Sequence, residues 1–369
     1  MDNNITIIGI GRLGLCTALC FAQKYNVIGI DINEKYVDSL NNKTFNTLEP
    51  FVNELLINTT TFKASADLNE GLLHSDIIYI LVDTPTSNND DCYDVKNLNT
   101  VLRNINKEKV INKHIIIGCT VLPGYIANIG RQLLCDCINT TLSYNPEFIQ
   151  QGSIINGFLN PDMVLIGSTN NIIINKLTQI YSNICHNKPT FNIMSPESAE
   201  ICKISLNCFI TTKISFANMI GDIADRTNNA NKFDILKAIG TDSRIGNKCL
   251  LPGFGYGGPC FPRDNRALLS YANKINIDGK ISRATDEYNN YHTYLQLNEY
   301  LKMDLDLYVF EDVAYKSNCL VPIIEESKKL EIAVKLALQN KKVMIKDKIH
   351  IINAVKDIYG TLFLYEIIN

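Results

Sequence analysis

Cys260 and Asp264 lie four residues apart, with Arg263 beside them, at the end of the run Gly253-Phe254-Gly255-Tyr256-Gly257-Gly258-Pro259-Cys260-Phe261-Pro262-Arg263-Asp264. A thiolate is a nucleophile and a neighbouring cation favours it, so this trio could form and release a covalent adduct on an electrophilic carbon. The glycines could let backbone N–H groups converge on an anion. Lys203 and Asn207 stand one helical turn apart, and donors on one helix face could hold a developing oxyanion. On residue type alone each feature also has a plain reading: a structural thiol in a turn, and a solvated helix face.

A second cluster lies at the N-terminus. Gly9-Ile10-Gly11-Arg12-Leu13-Gly14 follows a β-branched run and opens a helical one, which is the spacing of a dinucleotide-binding turn. Gly9 would make the turn, Gly11 would let the backbone approach a pyrophosphate, and Gly14 would let the helix pack on the strand. Asp31 falls about 20 residues on, where a carboxylate accepts from ribose hydroxyls. Ile32 and Asn33 follow it, with no arginine for a 2′-phosphate, so the expected cofactor is NAD rather than NADP.

These residues need a scaffold. Candidate strands at Ile5–Ile8, Asn26–Ile30, Asp76–Val82, Ile115–Cys119 and Met163–Ile166 alternate with helical segments, which predicts an α/β fold with a parallel sheet covered on both faces. Ser195-Pro196 is a helix start, and no proline follows until well past Arg226. A helix of ~30 residues would run ~45 Å and suits an inter-domain spine or a dimer interface. Residues 251–263 read as loop, and a strand–helix–strand pattern returns after residue 304. The expected domains are a Rossmann-type unit over 1–194, a central helical unit over 195–303, and a shortened α/β unit over 304–369.

Composition narrows the class. The 369 residues are 46% hydrophobic and carry a net charge of -3 with scattered Lys and Arg, which argues against a nucleic-acid surface or a basic membrane patch. No apolar run reaches membrane-spanning length. The N-terminus lacks a basic stretch ahead of an apolar one, so a cytoplasmic location is expected. Twelve cysteines occur without a CxxC pair, which predicts reduced thiols filling core holes rather than disulfides or zinc. His74, His114, His186, His292 and His350 lack metal-ligand spacing and read as structural or surface residues, with no metal expected.

Taken together, the motifs resemble the UDP-glucose/GDP-mannose dehydrogenase family. Gly255–Asp264 is similar to its GFGGxCFxKD loop. Val82-Asp83-Thr84-Pro85-Thr86 resembles its VPTPT turn, and Cys119-Thr120-Val121 its STV turn. Asn145-Pro146-Glu147-Phe148 resembles NPEF, and Phe158–Asp162 its FLNPD. Ala199-Glu200 with Lys203 and Asn207 resembles AExxKxxxN. Asp242-Ser243-Arg244-Ile245-Gly246 resembles DxRIG, and Val313-Ala314-Tyr315-Lys316 its GxAYK.

The resemblance implies oxidation of a nucleotide sugar, UDP-glucose, by two NAD molecules through a thiohemiacetal and a thioester on Cys260. Lys203 and Asn207 would hold the oxyanion, while Glu147, Thr120 and Asp264 would position water and move protons. Besides the glycine turn and Asp31, it implies that Thr84, Thr120, Gln151 and Arg263 contact the cofactor. Glu147, Phe148, Ile149, Gln151, Lys203, Asn207, Cys249, Leu250, Gly257 and Lys316 would contact the sugar nucleotide, with Arg244 reaching in from the partner of a homodimer. The chain departs from the pattern at Gln151, where the family has a second carboxylate, at Pro259, and in its short C-terminus, where Ser317–Ser327 lacks the family's arginine. GDP-mannose or a UDP-N-acetylhexosamine, a catalytically impaired binding protein, and a one-step hydroxyacid dehydrogenase are the alternatives.

Overall fold

A computed structural model describes residues 3–87 and 92–368. The asparagine pair 88–89, part of a scattered Asn-rich composition, lies outside the described residues. The described chain divides into two compact units, one of residues up to Lys203 and one from Ile204 onward together with Cys92.

The first unit holds β1 (Asn4–Ile8), α1 (Arg12–Phe21), β2 (Asn26–Ile30), α2 (Glu34–Asn41), α3 (Val52–Asn58), β3 (Phe62–Ser65), α4 (Leu68–His74), β4 (Ile77–Ile80), α5 (Lys96–Lys107), β5 (His114–Ile117), β6 (Thr141–Tyr144), α6 (Ile154–Leu159), β7 (Met163–Gly167), α7 (Asn171–Ile184) and β8 (Thr190–Met194). Eight strands run in the order β3-β2-β1-β4-β5-β6-β7-β8. The strand order switches direction between β1 and β4, the point where open α/β sheets place their ligands beyond the carboxyl ends of the strands. The inner strands β1, β4 and β5 are almost wholly buried, Ile5, Ile7, Ile78, Ile80 and Ile115–Ile117 among them, because helices cover both faces, while the edge strand β8 is not.

The sheet is not parallel throughout, as the sequence led one to expect. β6 and β7 pair antiparallel, at Tyr144 and Gly167. The only helix between them, α6, has six residues.

The helix α8 (Pro196–Ala224) has 29 residues. Ser195 Oγ accepts from Ser198 N at 3.2 Å, so the expected cap forms. Its first two turns belong to the first unit and the remainder to the second.

The second unit continues with α9 (Lys232–Thr241), α10 (Phe261–Lys274) and α11 (Lys280–Met303). A smaller parallel sheet of β9 (Tyr308–Glu311), β10 (Val343–Asp347) and β11 (Leu364–Ile367), in the order β11-β10-β9, is joined through α12 (Lys328–Leu338) and α13 (Ile349–Tyr359). It has its own core, built on Tyr308, Phe310, Ile332, Leu336, Ile345 and Ile351. The C-terminal region therefore carries two successive strand–helix–strand steps rather than little more than one.

Candidate active site

Gly9, Gly11 and Gly14 each answer a separate demand in the turn after β1. Gly9 has φ +87°, and a Cβ there would sit 2.7 Å from Leu81 O. A Cβ at Gly14 would sit 1.9 Å from Gly9 O, so only glycine lets α1 approach this close. A Cβ at Gly11 would meet nothing within 4 Å. Gly11 caps α1, and the open side of its backbone is where a pyrophosphate could reach the N–H groups of the first turn. Asp31 directly follows β2, with its carboxylate accepting from Asn33 N at 3.0 Å. Thr84 Oγ1 donates to Thr120 O at 2.9 Å, bringing those two predicted contacts together beyond β4 and β5. These residues fit a dinucleotide with a free 2′-hydroxyl. Gly14→Ala is expected to weaken NAD binding by more than ~100-fold, read by fluorescence titration, because the backbone carbonyl it meets cannot move without opening the turn.

Gln151 has a specific neighbour. Arg12 Nη1 donates to its Oε1 at 3.0 Å, so the residue replacing the family's second carboxylate is engaged by the first residue of α1.

Glu147 is set by a polar cluster that sequence reasoning missed. Tyr181 OH bonds Glu147 Oε1 at 2.6 Å and lies 2.8 Å from Asn145 Oδ1, while Asn145 Nδ2 donates to Leu165 O at 2.9 Å. Lys203 Nζ donates to Glu147 O and lies 4.6 Å over the Phe148 ring. Burial pushes the Glu147 carboxyl up to about 7, against the opposing pull of the Tyr181 hydrogen bond and the Lys203 charge. A carboxyl in that range is suited to exchanging a proton near neutral pH.

Two further glutamates hold loops of this unit. Glu49 accepts from Gly152 N and Ile154 N, both at 2.7 Å, at the start of α6. Glu200, fully buried, accepts from Gly124 N at 2.6 Å and Ile126 N at 2.8 Å, one turn ahead of Lys203. Burial also pushes Glu200 up to about 7, outweighing those two backbone bonds. The folded chain thus binds more protons than the unfolded one between about pH 4.5 and 7, so this contribution to stability falls as pH rises through that window. Glu200→Gln is expected to flatten the decline, a change on the order of a few kcal/mol, read as melting temperature against pH.

In the second unit, Cys260 is exposed and occupies the N-cap of α10. The sequence placed residues 261–263 in a loop, but the helix starts at Phe261. Pro262 sits in its first turn, where a missing N–H costs nothing. Arg263 Nη2 stands 4.0 Å from Cys260 Sγ, and Arg263 Nε lies 3.2 Å from Asp264 Oδ1. A helix N-terminus and a guanidinium are both surroundings that favour a negatively charged sulfur. Asp264 is 1% exposed and accepts from Asn207 Nδ2 at 2.7 Å, so the cysteine helix is docked onto α8 through two predicted residues.

Gly257 and Gly258 of the cysteine loop are required for close packing. A Cβ at Gly257 would meet Glu326 O at 2.2 Å, and at Gly258, φ +84°, the Tyr315 ring at 2.4 Å. Gly258 N donates to Glu325 O at 2.8 Å and Tyr256 N to Asn289 Oδ1 at 2.9 Å, so these N–H groups are used internally. Arg266 grips Glu326 with two hydrogen bonds of 3.0 and 2.9 Å. The segment lacking the family's arginine is therefore what braces the cysteine loop. Lys316 follows Tyr315, its Nζ 5.6 Å from that ring. Leu250 is buried and Cys249 exposed with φ +59°. Arg244 is exposed and forks onto Asp242 at 3.0 and 2.7 Å.

The thiols are less uniform than core filling implies. Cys16, Cys20, Cys92, Cys119, Cys208 and Cys319 are buried, but Cys135 and Cys249 are exposed like Cys260. Both lie in irregular connections outside the helices and strands, where no core forms around them. Among the described residues no group of three His, Cys, Asp or Glu is arranged to hold a metal, and no helix is long and apolar enough to cross a membrane.

Models of the UDP-glucose/GDP-mannose dehydrogenase family match residues 3–185 with the NAD-binding domain and 197–291 with the central domain, and the chain belongs to this family. It is 30% identical over 295 residues to UDP-glucose 6-dehydrogenase of Pseudomonas aeruginosa, covering 77% of this chain and 65% of that protein. It is 29% identical over 303 residues to GDP-mannose 6-dehydrogenase of Pseudomonas savastanoi pv. phaseolicola, covering 75% and 66%. The fold is similar to a UDP-glucose dehydrogenase from Pyrobaculum islandicum, with TM-score 0.88, 25% identity, and 98% of this chain and 85% of that one covered. The chain thus spans about two thirds of the curated relatives it matches. Its N-terminal domain binds NAD.

Proposed function

We propose that this protein oxidises UDP-glucose at C6 to the carboxylate, with two molecules of NAD per sugar. The observation that carries the reading is Cys260, exposed at a helix N-terminus, with Arg263, Asp264 and Asn207 arrayed behind it. Bound NAD accepts the hydride in each oxidation. Cys260 adds to the aldehyde of the first oxidation to give a thiohemiacetal, which keeps the reactive carbonyl on the protein. Its oxidation gives a thioester, and water displaces the sulfur to release the acid and the free thiol. Lys203 and Asn207 stabilise the tetrahedral oxygen, and Glu147 takes the proton from the attacking water. In this scheme Gln151, hydrogen-bonded to Arg12 at the nucleotide turn, takes no part in the proton steps, which rest on Glu147.

UDP-glucose is preferred over UDP-N-acetylhexosamines on the GGPCFPRD loop style, with GDP-mannose the third candidate. A homodimer completes the site with Arg244 of the partner. In support, Phe209, Phe216 and Ile223 repeat every seven residues along α8 and all three are exposed, an apolar stripe that a second copy would cover. Free thiols throughout suit a reducing compartment, the cytoplasm. The test is to incubate the protein with NAD and UDP-glucose and to count NADH per sugar consumed, with GDP-mannose and UDP-N-acetylglucosamine in parallel. Two per sugar supports this reading. One points to a one-step dehydrogenase, and none with any sugar to a binding protein.

A further inference from the structure

Gly253 opens the cysteine loop, and three side chains hold its backbone. Asn218 Oδ1 accepts from Gly253 N at 2.8 Å. Gly253 O faces His292 Nε2 at 2.7 Å and Gln296 Nε2 at 3.0 Å. The other ring nitrogen of His292, Nδ1, lies 2.8 Å from Asp222 Oδ2, which also accepts from Tyr288 OH at 2.8 Å. His292 is 5% exposed, and each ring nitrogen faces one of these protein atoms.

Both atoms facing the ring nitrogens are oxygen acceptors. A neutral imidazole offers one N–H and one lone pair and can satisfy only one of them, whereas the doubly protonated ring satisfies both. Burial opposes ionisation of Asp222, yet the hydrogen bonds from His292 and Tyr288 hold its carboxyl below the ordinary value, so it is the carboxylate that faces Nδ1. When the ring loses one proton, the remaining proton stays at Nδ1 in the charge-assisted bond. The Nε2 lone pair then meets the Gly253 carbonyl oxygen, and the contact becomes repulsive.

The other charges around the ring do not replace this pair. Asp225 and Arg226 just past the end of α8, Lys232 on α9, and Glu299 and Lys302 on α11 line a cavity of about 670 Å³ together with His292. Lys232 pairs with Asp225 and Lys302 with Glu299, each at 2.8 Å, while Arg226 donates to the Asp222 backbone carbonyl at 2.8 Å. Asp222 is the carboxylate in contact with the imidazole, and the cavity gives protons a route to it.

We propose that His292 is a positioning residue for the cysteine loop, tightening the hold on the Gly253 carbonyl while its ring carries two protons and leaving that hold to Gln296 and Asn218 when one is lost. The functional weight of this tether rests on the reading of Cys260 as nucleophile, seven residues on, but the tether itself does not. Its chemistry is that of a pH-dependent latch on loop order.

The experiment is amide hydrogen exchange by mass spectrometry on the full chain, following peptides that cover residues 252–258 from about pH 6 to about pH 9, corrected for intrinsic exchange. In the wild type, protection is expected to fall about tenfold across the range as one hydrogen bond is lost. In His292→Gln, which cannot titrate, protection should be independent of pH. Asp222→Asn removes the carboxylate that keeps the last proton at Nδ1, so the neutral ring can keep donating to Gly253 and the fall should shrink. The proposal is overturned by wild-type protection that does not change with pH, or by a fall as steep in His292→Gln or Asp222→Asn as in the wild type. The exchange readout needs neither substrate nor turnover, so it fails or succeeds separately from the NADH count.

Discussion

Replacement of Cys260 by serine is expected to lower steady NADH production from UDP-glucose by on the order of 10³-fold or more, with NAD affinity unchanged within about twofold. The hydroxyl is nearly isosteric, so the packing of the loop against Glu326 and Tyr315 survives. What is lost is a nucleophile that Arg263 and the helix N-terminus can hold as an anion. A serine hydroxyl ionises far above neutral pH, and the surroundings that suffice for a thiol do not suffice for it. The aldehyde then has no covalent tether, so the second oxidation fails first. Absorbance at the NADH band, with product analysis, reads both quantities. Four-electron turnover by the variant at the wild-type rate would falsify the covalent route.

The second large effect is expected for Lys203→Ala. Its ammonium lies over Phe148, donates to the Glu147 carbonyl, and is 8% exposed. Loss of one preorganised donor to an oxyanion lowers kcat by about 10²–10³-fold. The Lys203 charge also restrains the upward push of burial on Glu147. Without it the Glu147 carboxyl rises above about 7, and a rate that depends on its ionised form climbs later with pH. The rising limb of kcat against pH should therefore begin near 7 in the wild type and move to higher pH in the variant. A lowered kcat with an unmoved limb would separate the oxyanion role from the effect on Glu147, and an unchanged kcat would remove Lys203 from the chemistry.

The parts of this molecule that could be read from the sequence are those whose demands are local. Gly9, Gly11 and Gly14 need three different kinds of space within one turn, and Asp31 directly follows the next strand, so a short pattern specifies them. The long helix announces itself by Ser195 and Pro196. By contrast, α13 begins at Ile349 after Lys348, which offers no side-chain cap, and β11 is mostly exposed, so the helix leaves no start signal and the strand no buried face. The braces of the site were invisible for another reason. Glu49 reaches residues more than 100 positions away, Glu200 more than 70, and Glu326 meets Arg266 across 60. A carboxylate opposite two backbone N–H groups is a three-dimensional fact with no sequence period. The glycines at 257 and 258 show the same limit. Their presence was legible, but whether they make room for a ligand or for residues 325–327 and Tyr315 depended on what the chain brings back to them.

The three exposed thiols have a practical meaning for anyone probing the nucleophile by its reactivity. Cys135 and Cys249 present sulfur to solvent as Cys260 does, so loss of activity on alkylation counts three reactions, not one. Air oxidation has the same ambiguity, since any of the three can join two chains. Labelling becomes informative only in a Cys135→Ser, Cys249→Ser background, where the remaining fast thiol is Cys260. There, the slowing of its modification by bound sugar nucleotide measures occupancy directly.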